Sequence, residues 1–374
     1  PQAALIETIG RAGRPVIALD GPSGVDLTSG AISGPAIRAD LTVTFGAPKR
    51  GLLLFPGRAH AGRIIAFEVG FPPIDQDEHS AALITPDWAR RHLPRISPNA
   101  HKGELGTVAV VAGHPGMAGA ALLAGLGAGR AGAGKIELVS VPENREILQV
   151  AIPEALFVER ESEGLEGLLE RAGAVVAGPG MGTDDEDLAV LRRVVATGDA
   201  PLLLDADALT LLARTPDLLK ESSRPVLLTP HPGEMSRLLG VDTRAITADP
   251  FRFAGEAAER WGCPVLLKGS PALVAAPGKA TLINVAGHSG IATGGMGDVL
   301  AGVAGALLAQ GASPRAALAL ALFYAGRAAE IAGRERSLLP RDVTEALPAA
   351  LADPGTAASP LGLPGVILDL PPAR

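Results

Sequence analysis

Residues 287–302 read Gly-His-Ser-Gly-Ile-Ala-Thr-Gly-Gly-Met-Gly-Asp-Val-Leu-Ala-Gly, a glycine-rich turn entering a helix whose first turn carries Asp298. Unpaired amide N–H groups and the positive end of such a helix face an incoming anion. Glycines let the backbone approach phosphate oxygens without a Cβ in the way. An Asp beside that nest can take a proton from a hydroxyl while the nest stabilises a transferring phosphoryl group. An ordinary helix start with a capping acid, worth about 1 kcal/mol, has the same pattern, so the loop alone does not choose between them.

Four further stretches carry chemistry, each just past an apolar, strand-like run. Thr229-Pro230-His231-Pro232-Gly233-Glu234 supplies an imidazole and a carboxylate, and Lys268-Gly269-Ser270 a cation in a tight turn. Gly178-Pro179-Gly180-Met181-Gly182 is a second glycine loop, followed by Thr183-Asp184, and Asp205-Ala206-Asp207 offers two carboxylates. His231 sits between two prolines that stiffen its loop; it reads as a ligand-facing imidazole or as a loop histidine capping nearby carbonyls. Glu234 is a site residue or an early-helix acid favoured by the dipole.

The elements that must position these residues alternate. Strand-like runs at 107–112, 135–141, 174–177, 201–205, 226–229 and 264–268 enclose helical patterns at 119–130, 185–197, 233–239 and 250–261. That alternation predicts βαβ units and a doubly wound α/β sheet, in which strand-end loops converge on one edge. Short strands at 272–275 and 281–284 fit a hairpin, and helices follow at 298–310, 314–332 and 341–351. Upstream, strand-like runs at 15–20, 41–45 and 63–69 form a separate block. The polar, Pro-rich stretch 70–98 reads as a linker, and the end of the chain as a loose Pro/Gly-rich tail.

Of the 374 residues, 47 are Gly and 32 are Pro, without a collagen period, and 47% are hydrophobic. Disorder and a helical bundle are both excluded by this composition. A net charge of −7 with no Lys/Arg cluster argues against nucleic acid as a partner. A lone Cys263 fits a reducing, cytoplasmic setting, no apolar stretch is regular enough for a membrane helix, and the start carries no signal peptide.

From 101 to about 350 the chain resembles the ADP/ATP-dependent NAD(P)H-hydrate dehydratase family. Seven pieces occur in family order: His101-Lys102-Gly103, the glycines of 127–134, the loop 178–182, Asp205-Ala206-Asp207-Ala208-Leu209, Thr229 to Glu234, Lys268-Gly269, and Gly294-Gly295-Met296-Gly297-Asp298-Val299-Leu300. Met296 stands where the family usually has a small Thr, and Ser270-Pro271 where many relatives carry a different turn. The resemblance implies a ribokinase-like three-layer sandwich and a lyase that repairs hydrated nicotinamide cofactors. ADP or ATP, with Mg²⁺, would phosphorylate the ring hydroxyl, and loss of phosphate would regenerate NAD(P)H; with ADP the products are AMP and phosphate. By resemblance Asp298 is the base and a hydrate contact, and Ala120, Gly182 and His231 line the hydrate pocket. Lys268, Gly269, Ser270, Pro271 and Ala272 border the nucleotide together with Gly295 and Gly297.

Residues 1 to about 70 resemble the end of the NAD(P)H-hydrate epimerase domain, through Ala18-Leu19-Asp20-Gly21-Pro22-Ser23-Gly24-Val25-Asp26, residues 39–46 and Pro48-Lys49. The resemblance implies that Asp20 contacts the hydrate and that Ser23 helps hold K⁺. The family's upstream Asn/Gly/Asp-rich loop has no counterpart before Pro15, so this part is expected to be a partial, Rossmann-like α/β fragment without epimerase activity. The expected organisation is a partial epimerase domain over 1–75, a linker over 76–98, a dehydratase domain over 99–352 and the tail over 353–374. A homo-oligomer is expected. Two alternatives stay open on the residues: a ribokinase-like kinase of vitamins or sugars, and a nucleotide-binding module without turnover.

Overall fold

The computed structural model describes residues 2–72, 81–101, 103–356 and 365–373 and divides into two units: Pro1–Asp87 with Gly355–Arg374, and Trp88–Pro354. Much of the expected linker (73–80), Lys102 of the His-Lys-Gly motif and part of the expected tail (357–364) lie outside the described residues.

In the first unit, strands β1 (Ile17–Leu19), β2 (Leu41–Phe45) and β3 (Arg63–Phe67) pair in parallel in that order. Strand β4 (Ala81–Leu83) follows in sequence. The segment expected to be a loose tail is different: Val366–Leu370 is a strand that pairs antiparallel with β3. Its alternation buries Leu368 and Leu370, and Arg63 donates two hydrogen bonds to Asp369, at 2.7 and 2.6 Å. The surrounding Pro and Gly signal loop, but the run Val-Ile-Leu-Asp-Leu suffices for a strand once an edge is available.

In the second unit, β5 (Thr107–Val111), β6 (Lys135–Ser140), β7 (Leu156–Glu159), β8 (Ala174–Ala177), β9 (Leu202–Leu204), β10 (Val226–Leu228), β11 (Val265–Leu267), β12 (Ala272–Ala276) and β13 (Lys279–Asn284) lie in the order β7-β6-β5-β8-β9-β10-β11-β12-β13. All neighbours from β7 to β11 are parallel; β12 and β13 form the antiparallel hairpin. Every residue of β8, β9, β10 and β11 is buried, as expected for a parallel sheet covered by helices on both sides. Strand β7 and the helices Arg145–Ala151, Leu165–Arg171 and Ala206–Arg214 have no counterpart in the sequence reading, each being too short for its periodicity to stand out over the window such patterns need.

The helix that begins beside Asp298, Met296–Ala309, lies against Ala118–Arg130 with the two backbones in contact. A Cβ on Gly302 would overlap the Ala124 carbonyl, and one on Gly127 the Val299 carbonyl. Gly305 instead faces the sheet, where a Cβ would come 3.1 Å from Val108 Cγ1. The Ala/Leu-rich helix Pro314–Ala332 is core, with Ala317 through Ala321 fully buried.

Candidate functional site

The chain leaves β5 for β6 and β7 on one side of the sheet, then returns to place β8, β9, β10 and β11 on the other. Loops at the carboxyl ends of strands flanking such a reversal splay apart and leave a crevice. The glycine loop 178–182 follows β8, Asp205 ends β9, Thr229-Pro230-His231 ends β10 and Lys268 ends β11. The helix Met296–Ala309 starts at the same edge: a methyl group placed on Gly297 would sit 3.2 Å from Lys268 Nζ and 3.8 Å from Asp205 Oδ2. The motifs read from the sequence therefore converge.

At the centre, Lys268 Nζ donates to Asp205 Oδ1. Asp205 is 1% exposed. Asp298 lies in the first turn of its helix, and burial pushes its carboxyl up to about 7, with the Asp205 charge adding, Lys268 opposing and Asp207 adding. A carboxyl poised near neutrality suits a base that must take a proton from an alcohol. The left-handed Gly295 is the N-cap residue and makes no side-chain cap; the Met296 N–H donates to the Thr293 carbonyl at 3.5 Å, which leaves the Gly297 and Asp298 amides to meet a ligand.

His231 is the N-cap of helix Pro232–Leu239. Its Nδ1 accepts from the Gly233 N–H at 2.9 Å and the Glu234 N–H at 3.3 Å, and Glu234 returns the bond by accepting from the His231 N–H at 2.7 Å. The histidine thus caps helix amides rather than carbonyls. Its Nε2 lies 3.4 Å from Glu234 Oε1 on a side chain that is half exposed. Burial lowers the His231 pKa, helped by Lys268 and Arg237 and opposed by Asp205, so the ring stays neutral. Burial raises Glu234 to about 7, with Lys268 opposing and Asp205 adding. Glu234 is the reciprocal partner of a capping box, a stronger tie than the helix dipole alone.

The loop after β8 is held from two sides. The Gly182 N–H donates to Asp207 Oδ2 at 3.0 Å, and the buried Arg160 donates to the Met181 carbonyl at 3.2 Å and to Asp187 at 2.7 Å. A Cβ on Gly180 would lie 3.0 Å from that of Ala120, while Leu123, one turn on, crowds Gly295. Ala120 and Gly182 are therefore brought to the glycine loops. Gly269 and Ser270 are exposed beyond Lys268, Pro271 is half-buried, and Ala272 is buried as the first residue of β12. Arg160 was missed because an isolated Arg carries no periodic signal; Asp184 and Asp187, three apart before an apolar run, show the spacing of the capping box they form. His114 Nε2 is 4.0 Å from Asp184, and that group works as a helix cap, Asp187 being taken by Arg160 and the Asp184 N–H. A cavity of about 520 Å³ opens between residues 289–293 and 335–339, beside the approach to Gly294.

In the first unit, Asp20 holds a left-handed backbone (φ 64°). Its Oδ1 accepts from Lys49 Nζ, from Thr44 Oγ1 at 3.1 Å and from the Phe45 N–H at 3.3 Å. Burial works against its charge, but Lys49, the Phe45 amide and Thr44 together hold its pKa below the usual carboxylate value. Ser23 is exposed, and its carbonyl accepts from the Ile37 N–H at 2.8 Å. One exposed hydroxyl and one engaged carbonyl do not fit a potassium ion, which gathers several oxygens.

Magnesium accompanies nucleotides in phosphoryl transfer, and in the second unit Asp205, Asp207 and Lys268 all act on the Asp298 charge, but among the described residues these acids are not drawn together as a ligand set. Asp205 is taken by Lys268 and one oxygen of Asp207 by Gly182. A bound ion would be held chiefly by the nucleotide's phosphate oxygens and would supply charge neutralisation there.

Residues 108–349 match the family model described as NAD(P)H-hydrate dehydratase, and residues 1–51 that described as the YjeF-related protein N-terminus. A bifunctional NAD(P)H-hydrate repair enzyme of Moorella thermoacetica is 36% identical over 366 residues, 93% of this chain and 69% of that protein. Its counterpart from Coxiella burnetii is 38% identical over 353 residues, covering 92% and 70%. Among solved structures, the ADP/ATP-dependent NAD(P)H-hydrate dehydratase of Bacillus subtilis, co-crystallised with ATP and Mg²⁺, aligns with a TM-score of 0.66 at 31% identity, over 72% of this chain and 96% of that one. A ribokinase-like superfamily protein of Enterococcus faecalis shares the fold, with a TM-score of 0.67 at 23% identity over 75% and 98%.

Proposed function

Since this chain belongs to the NAD(P)H-hydrate dehydratase family, with a ribokinase-like fold in its second unit, we propose how its own residues carry out nucleotide-driven removal of water from hydrated NADH or NADPH. The hydroxyl on the hydrated ring attacks the terminal phosphorus of ADP or ATP. Asp298 accepts the hydroxyl proton, and the amides of the first helical turn with Lys268 stabilise charge on the transferring group. AMP or ADP leaves. The new ring phosphate is a far better leaving group than hydroxide: its C–O bond breaks, a neighbouring ring C–H proton is lost, and the double bond of the reduced nicotinamide re-forms. Bound Mg²⁺ neutralises the phosphate oxygens during transfer. Ala120, Gly182 and the Nε2 side of His231 face the hydrate, and residues 268–272 with Gly295 and Gly297 border the nucleotide.

The observation that carries this reading is the placement of Asp298 in the first turn of a helix whose start faces Lys268, where burial pushes its carboxyl up to about 7. Incubation with hydrated NADH, Mg²⁺ and ADP or ATP should restore the absorbance of the reduced nicotinamide, with one phosphate released per cofactor recovered. Accumulation of a phosphorylated alcohol with no recovery would make the protein a kinase instead. We propose no epimerase activity for this chain, because Asp20 is tied up as a fixed anion and makes a poor proton acceptor. A mixture of hydrate epimers should then convert in two phases, the second at the spontaneous epimerisation rate.

A further inference from the structure

We propose that Asp205 is a positioning residue for phosphoryl transfer: it anchors the Lys268 ammonium against the first turn of the Asp298 helix, where the cation meets the transferring phosphate. This rests on the reading of the site given above.

Asp205 is the N-cap residue of helix Ala206–Arg214, yet its side chain caps nothing. An Asp there normally accepts the N–H of the second or third helical residue. This carboxylate turns away from its own helix, and Lys268 reaches it across 63 residues of sequence. Its backbone is fixed to make that turn. The Asp205 N–H donates to the Ala177 carbonyl at 3.0 Å, Gly178 packs on the Asp205 carbonyl where a Cβ would overlap it, and Ala206 takes a left-handed conformation at φ 47°.

Lys268 is fixed at its base by its N–H, which donates to the Pro230 carbonyl at 2.9 Å. Its four-carbon stem would otherwise sweep the crevice. The pair leaves the ammonium beside Gly297, with Asp205 Oδ2 on the same side. Burying a carboxylate is a poor route to stability, and forgoing the cap adds to that cost. Holding a cation at one point in the crevice accounts for both. Asp205 also bears on the base, since the charged groups around Asp298 are Asp205 at the end of β9, Asp207 on the following helix and Lys268 at the end of β11.

The test compares Asp205→Asn, Lys268→Met and the double variant in hydrate dehydration, over a range of nucleotide concentration and pH. Asp205→Asn should raise the nucleotide KM at least tenfold. It should also move the acid limb of kcat below pH 7, because one anion opposing Asp298 ionisation is gone and Lys268 is no longer neutralised. In the Lys268→Met background, Asp205→Asn should leave the nucleotide KM where Lys268→Met put it. Wild-type nucleotide KM and an unmoved acid limb in Asp205→Asn would overturn the proposal, as would a multiplicative loss in the double variant. If Asp205→Asn does not fold, Asp205→Glu, which keeps the charge but displaces it by one methylene, must show the raised KM with the acid limb unmoved; an unchanged KM overturns the proposal. Absence of dehydration by the wild type, with nucleotide still bound in calorimetry, would fail the functional reading and not this one.

Discussion

Each unit sets an Asp–Lys pair at the carboxyl end of a parallel strand beside a residue in left-handed backbone, and the two pairs do opposite things. In the first unit the Asp20 and Lys49 side chains are 42% and 30% exposed; in the second, Asp205 is 1% exposed and Lys268 21%. The open pair, with Thr44 and the Phe45 amide, leaves Asp20 a settled anion. The closed pair instead shapes its surroundings: Asp298 and Glu234 both rise to about 7 under burial, with the Asp205 charge reinforcing it. The difference is one of solvent. Water screens the first pair, whereas the Asp205 carboxylate acts from inside the protein, where less solvent screens it.

Asp298→Asn should sharpen the contrast most, lowering kcat by about 10²- to 10⁴-fold with nucleotide affinity retained in calorimetry. In the wild type kcat should rise with pH through about 7, because the base must be ionised. Next, Asp205→Ala leaves the partly exposed Lys268 ammonium without its carboxylate and should cost about 2 kcal/mol in urea unfolding, between an exposed and a buried pair; a loss below about 1 kcal/mol would break the distinction between the pairs. Third, the base is held at the expense of stability. Its folded pKa is raised, so between about pH 4 and 7 the folded state binds the extra proton and stability falls as pH rises. Asp298→Asn should therefore be more stable than wild type by roughly 1–3 kcal/mol at pH 8, the gain vanishing near pH 4 in thermal melts. Smallest is Asp20→Ala, which should change stability by less than about 1 kcal/mol, less still in high salt, with dehydration unaffected.

Much of this was legible in the residues. Strand-end loops of Gly, Pro, Asp and Lys fixed the doubly wound class, because an apolar run that ends in such residues must stop at the sheet edge. Asp298 stands out as the acid following five glycines in eleven residues. Less visible was anything that depends on three-dimensional pairing. Asp205 reads from the sequence only as one of two carboxylates past a strand, and its partner lies 63 residues away. For His231 the sequence leaves a ligand-facing imidazole and a cap on carbonyls both open, whereas its Nδ1 accepts two amides. The strand Val366–Leu370 was hidden by neighbouring prolines, since five residues carry too little pattern to outweigh them.

That strand also sets an order of events. The first unit's sheet needs residues on both sides of Trp88–Pro354 in the chain. During synthesis the second unit can leave the ribosome and fold while β3 still has an open edge. The first unit's sheet is thus completed only after the second unit has been made, when Arg63 meets Asp369.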